Sequence, residues 1–196
     1  MIVSQFVARE LSKRSFLEFI KQATIQSRSI NNGSFDGWIF QMDFLFHLRK
    51  AFSESQFLQL ENNETWPVTR IFDFRDEVEL ENKTSQFMDG CWFIPSKVNH
   101  GAYDVAQLLD NLSTLRIVQL TISKTHNLKL EYVIKLLKSL KKRNIAIQKL
   151  EVVVVVPAGF TTQFKIGQVF SDQNVSITEL GWNKNQIQIK GFRRCS

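Results

Sequence analysis

An α/β fold, a mixed central sheet flanked by helices, is what this sequence predicts, and three stretches predict it. Leu150 to Val156 is, apart from Glu151, an apolar and largely β-branched run stopped by Pro157, the pattern of a strand covered on both faces. Ahead of it, residues 128 to 142 place Leu130, Val133, Ile134, Leu137 and Leu140 on one helical face. Earlier still, Val118, Leu120 and Ile122 alternate with Gln119, Thr121 and Ser123, the two-residue period of a strand. Strand, helix and strand at this spacing imply a right-handed crossover and a parallel pair at the sheet centre.

The remaining elements follow in chain order. Residues 1 to 29 read as a helix, with Phe6, Leu11, Phe16, Phe19 and Ile20 at near-helical spacing. Asn31-Asn32-Gly33-Ser34 breaks it, and Ser34 is the expected N-cap of the next helix. From Phe35 to Phe52 a broad stripe of Phe35, Trp38, Ile39, Met42, Leu45 and Phe46 reads as core. Thr69 to Phe74 alternates, and Phe87 to Ile94 is a second β-rich run. Between Glu54 and Glu81 the acid is concentrated, including Asp76-Glu77, Glu79 and Glu81, which suits an exposed hairpin. A strand over Ala102 to Leu109, a turn at Asp110-Asn111 and a strand over Leu115 to Ser123 come next. The tail has strand-like pieces at Val175 to Leu180 and Gln186 to Lys190. The order from Ser34 is thus α-β-β-β-α-β. It divides the chain into a basic helical segment (1–33), a core (34–157) and a β-rich C-terminal extension packed on it (158–196).

Composition narrows the function classes. Seventeen Phe and 43% apolar residues supply a real core. No apolar run approaches the roughly 20 residues that span a bilayer, so no membrane partner is expected. Met1 to Ala8 lacks a basic head and apolar block, so an intracellular place is expected. Cys91 and Cys195 are too few and too far apart for a disulfide framework or zinc site, and read as free thiols. The net charge of +6 favours polyanionic partners. Lys135, Lys138, Lys141, Lys142 and Arg143, on the outer face of the 128–142 helix, are the candidate nucleic-acid contacts. Part of that cluster also suits the helix C-terminus electrostatically. A glycine-rich phosphate loop, a Gly-x-Ser-x-Gly elbow and an HExxH motif are absent from the sequence.

The chemistry concentrates around Tyr103-Asp104-Val105 and Val118 to Ser123. In so apolar a strand, an amide and two hydroxyls on one face cost stability unless they are used. Asp104 on a neighbouring strand faces that row. A carboxylate facing the Gln119 carbonyl oxygen is a small oxygen-donor site for a hard divalent cation.

These features resemble the PD-(D/E)xK restriction-endonuclease core. They are similar, more closely, to the nuclease-like domains of the Crinkler effectors and the retrotransposon-hot-spot proteins. The likeness is carried by Gly37-Trp38-Ile39-Phe40-Gln41, by Asn99-His100-Gly101-Ala102-Tyr103-Asp104 and by Val118 to His126, over about residues 34 to 157. It implies a metal-dependent nuclease acting on DNA, with Mg²⁺ or Mn²⁺, and a place in the host nucleus. Residue by residue, it puts Asp104 in the family's Asp position, Gln119 in the carboxylate position and Thr121 in the lysine position. Gln41 on the first helix, with Asp43 as second choice, completes the metal set. Lys124 (or Lys129) replaces the missing lysine, and His126 serves as base.

Two departures stand out. Gln119 carries no charge, which leaves one carboxylate where the family has two, and Thr121 cannot steady transition-state charge as a lysine does. An atypical nuclease and a fold that has lost catalysis but still grips nucleic acid or a host protein both satisfy this sequence.

Overall fold

The computed structural model describes residues 17–30, 32–82, 86–96, 103–170 and 182–194. The first half of the expected N-terminal helix, His100, the 175–180 strand piece and Cys195 lie outside them. The protein is a mixed α/β structure with a central mixed sheet flanked by helices.

Helix α1 (Leu17–Ile30) leads into α2 (Gly33–Ser53), and Ile20 and Ala23 of the first pack on Ile39 and Met42 of the second. The N-cap of α2 is Asn32, two residues earlier than Ser34. Its side-chain oxygen accepts from the backbone N–H of Ser34 and of Phe35, at 3.1 and 3.2 Å. Both residues are good caps; the amide reaches two orphan donors from Asn32.

Strands β1 (Phe57–Gln59) and β2 (Thr65–Pro67) form a small antiparallel pair. Leu58, Leu60 and Trp66 bury against α2. Strand β3 (Arg70–Phe74) then enters the main sheet parallel to β4 (Cys91–Pro95), so the hairpin expected over Glu54 to Glu81 is confined to β1–β2, whose Leu58 and Trp66 are buried. The acids at its end instead build a short helix, α3 (Glu77–Asn82). Glu81 of α3 takes an ion pair from Lys142 at 2.9 Å and a hydrogen bond from Ser139.

Strands β4, β5 (Val105–Leu109) and β6 (Thr114–Leu120) form an antiparallel meander. The β5–β6 turn holds Asp110, Asn111 and Leu112 at positive φ. A short strand, β7 (Thr125–Lys129), intervenes before helix α4 (Glu131–Lys142), so the helix starts three residues later than the pattern of Leu130 and its successors suggests. Strand β8 (Lys149–Pro157) returns parallel to β6, with Gln119 opposite Val154. Its valines divide between the two faces: Val152 joins the α4 side, Val153 and Val155 the α2 side.

Strand β9 (Lys165–Phe170) pairs with β7 apart from the main sheet, and β10 (Gln188–Phe192) pairs parallel to β8. The six-stranded sheet therefore runs β10-β8-β6-β5-β4-β3. Segment 158–196 supplies one edge strand of that sheet, and β8 is an interior strand rather than its border. Phe40, Phe44, Leu45 and Leu48 of α2 cover one face, and Val133, Leu136 and Leu140 of α4 the other. Each such buried side chain contributes about 1.5–3 kcal/mol. Among the described residues no helix is long and apolar enough to cross a membrane.

Candidate functional site

The polar row of β6 ends where the sheet ends, and a cavity of about 510 Å³ opens there. Its walls come from three non-adjacent pieces of chain: the first turns of α2, the Asp104 approach to β5, and the β6–β7 connection. Gln41, Asp104, Gln119, Thr121 and His126 all line it. Five residues singled out from sequence thus share one site.

Asp104 lies just before β5 and is 5% exposed. Three N–H groups converge on its carboxylate. The Gln119 amide nitrogen donates to Oδ2 at 2.6 Å, the Leu120 backbone N–H donates to the same oxygen at 2.8 Å, and Gln41 donates to Oδ1 at 3.1 Å. The sheet dictates this arrangement. Antiparallel pairing sets Val105 opposite Val118, and the Asp104 N–H donates to the Val118 carbonyl at 2.8 Å, which brings the Asp104 and Gln119 side chains together. Gln119 is 7% exposed and its Oε1 has no hydrogen-bond partner among the described residues.

Thr121 falls just beyond β6, although its backbone N–H still donates to the Val155 carbonyl at 3.0 Å. Its hydroxyl accepts from the Ser123 N–H at 3.1 Å and shapes the turn out of the strand. His126, in β7, is half-buried, and burial lowers its pKa from the ordinary 6.5. A neutral imidazole at neutral pH follows. Lys124 is exposed beside the cavity without lining it, and Lys129 does line it. Asp43 is not at the cavity: it is buried in α2, with its Oδ1 3.2 Å from Nδ1 of His47.

The residues present do not fit a hard divalent cation as they are arranged. Gln41 and Gln119 turn nitrogen, not oxygen, toward the one carboxylate in the cavity. Among the described residues no three of His, Cys, Asp and Glu gather as a metal-holding group. Mg²⁺ is ordinarily held by one or two carboxylates plus substrate oxygens. Here such an ion would first have to displace three N–H donors from Asp104.

The basic face of α4 lies elsewhere. The helix starts next to the cavity at Glu131 and runs about 18 Å away from it. The chain after it re-enters the sheet at Lys149, opposite Thr114 at the far end of β6. Lys142 is paired with Glu81, Arg143 sits over the Phe87 ring at 4.3 Å, and Lys135 over Tyr132 at 5.0 Å. Lys138 and Lys141 are exposed. The five residues form a largely solvated face that leads away from the cavity along the helix, partly engaged in packing.

Sequence reasoning missed three contributors. Trp38, read as core, is half-exposed and lines the cavity; the signal was Gly37 beside it, which leaves that side of the helix open. Asn127 lines the cavity with its side-chain oxygen fixed by the Gln168 N–H at 2.8 Å. A Cβ at Gly167 would collide with that oxygen, so the glycine is needed where β9 passes. Lys165 is brought beside Lys124 by β7–β9 pairing, which nothing local in the sequence announces. Cys91, by contrast, is a buried thiol pushed up to about 11 by burial and takes no part.

Compared with protein families, curated proteins and solved structures, the chain shows no match.

Proposed function

We propose that this chain is a nucleic-acid-binding module on a PD-(D/E)xK nuclease-like core that has lost its hydrolytic centre. The observation that carries the reading is the state of Asp104, a carboxylate that accepts three N–H donors in a cavity with no second carboxylate among the described residues. The topology supports the first half of the proposal. A meander of β4, β5 and β6, then a helix and a strand parallel to β6, is the arrangement that the resemblance implies, with Asp104 entering its second strand and Gln119 on its third. The net charge of +6 and the exposed Lys124, Lys129 and Lys165 beside the cavity support an anionic polymer as the partner.

A Mg²⁺- or Mn²⁺-dependent endonuclease of the effector type, working in a host nucleus, is the second reading. Gln41, Asp104, Gln119 and His126 converge on one cavity, and that convergence favours it.

The test is retention and cleavage measured together. Single- and double-stranded DNA are titrated at low salt with Mg²⁺, Mn²⁺ or EDTA, beside Asp104→Asn with its fold checked by circular dichroism. Salt-sensitive binding without cutting is expected, whichever metal is present. Metal-dependent cutting that disappears in a folded Asp104→Asn variant would establish the second reading instead. Absence of retention at low salt would replace nucleic acid with a protein partner.

A further inference from the structure

We propose that the cavity takes an unstacked nucleobase, which seats on Trp38 while its phosphates stay at the lysine-lined rim. This deepens the nucleic-acid reading and rests on it. Three features of the cavity select that ligand. The floor is a buried carboxylate that accepts three N–H donors, the bonding pattern of an anion. An anion at the floor repels phosphate and admits a neutral group that brings donors of its own.

Beside it, Gln119 leaves a buried carbonyl oxygen without a partner among the described residues. Such an oxygen costs free energy until a donor reaches it, and the ring N–H and amino groups of bases are donors of that kind. The wall is the Trp38 indole, half-buried on the first turns of α2, in a cavity that the imidazole of His126 also lines. Space is open beside the indole at Gly37, where, chain neighbours aside, a Cβ would meet nothing nearer than Ile122 at 4.0 Å. A flat π-surface beside hydrogen-bonding groups is the usual means of holding a splayed base.

Charge is distributed to match. Lys129 lines the cavity, and Lys124 and Lys165 are exposed on the paired strands next to it. The volume, about 510 Å³, falls within the roughly 300–1,000 Å³ of small-molecule sites. The acid inside and the cations outside sort a nucleotide by its parts: base in, phosphate out.

The experiment uses the whole chain and three probes: a short oligothymidylate, an abasic strand of the same length, and dAMP. Trp66, Trp92 and Trp182 are buried, so quenching by a stacked base reports on Trp38. The oligonucleotide is expected to quench fluorescence and to bind about 5- to 150-fold more tightly than the abasic strand, the range set by one stacked base. Trp38→Ala should erase that difference, whereas Trp38→Phe should lose the quenching and keep the affinity.

Equal binding of both strands, unchanged in Trp38→Ala, would overturn the base pocket and leave the nucleic-acid grip standing. Failure of both strands to bind would remove the grip. The dAMP titration then decides the pocket separately: saturable quenching abolished by Trp38→Phe upholds it, and a flat response overturns it.

Discussion

Truncating Asp104 to Ala strands three N–H donors at once, two of them on groups almost wholly shielded from water. A donor left unsatisfied in the interior costs about 1–3 kcal/mol. Asp104→Ala is therefore expected to lower the unfolding free energy by at least that much in urea titration, whether or not the site binds anything. An Asp104→Ala protein as stable as wild type would mean that the carboxylate is not held as described. The two described histidines titrate in opposite senses. At His47, burial pulls the pKa down, but the hydrogen bonds and charge of Asp43 outweigh it, and the net shift is upward from 6.5. At His126, burial acts alone and the shift is downward. His47 thus stabilises the fold fully below pH 6.5 and loses that contribution as pH rises through its folded pKa. His126 contributes fully above 6.5 and loses it as pH falls through 6.5 toward its lower folded value. Nitrogen-detected NMR titration should place the His47 midpoint above that of His126, and Asp43→Asn should bring His47 down. The reverse order would remove the Asp43 contact from the account. At this scale the sequence was informative where alternation exposed a cost, as at Gln119. It was silent on which atom of the amide faces Asp104, because that depends on hydrogen bonds between strands.

Helix α2 carries half of the candidate site, so its start matters. Asn32→Ala should destabilise the protein by about 0.5–2 kcal/mol, the usual cost of a lost N-cap. Ser34→Ala should change stability little in the same melts, since the Ser34 N–H receives the cap rather than providing it. Equal losses would restore Ser34 as the cap. Elements defined by local periodicity were legible: α2, the turn at Asp110-Asn111 and the all-valine centre of β8 fall where alternation and helical spacing put them, and β6 does so up to Leu120, where the strand expected to reach Ser123 ends. Elements defined by partners were not. Thr125 to Lys129 runs directly into an amphipathic pattern, and only pairing with residues 165 to 170 makes it a strand. Glu77 to Asn82 looked like solvated acid because its counter-charge, Lys142, lies far along the chain. Parallel pairing of β3 with β4 was equally invisible, since the short helix Glu77–Asn82 that makes the crossover between them reads as solvated acid.

At the scale of the molecule, two sets of exposed lysines can be separated. One (Lys124, Lys129 and Lys165) lies at or beside the cavity on β7 and β9 and the chain next to them; the other (Lys135, Lys138 and Lys141) follows α4 toward the opposite end of the sheet. Reversing each set to Glu separates their contributions. The cavity set is expected to weaken oligonucleotide binding and to flatten its dependence on log salt by about 2, at roughly 0.7 per phosphate contact. The α4 set should alter affinity much less and leave the slope nearly unchanged. If the α4 set dominates instead, the nucleic acid lies along that helix and away from the cavity.

The position of β10 has a further consequence, for the order in which the protein is made. Strand β8 leaves the ribosome about thirty residues before its outer neighbour, a delay of roughly 1.5–6 seconds at about 5–20 residues per second. During that interval the row Val152 to Val156 presents an unprotected edge with no charge and no proline, the composition that pairs readily with another chain. Nascent chains of this protein are therefore expected to need shielding by a chaperone at that edge until Gln188 to Phe192 arrives and closes it.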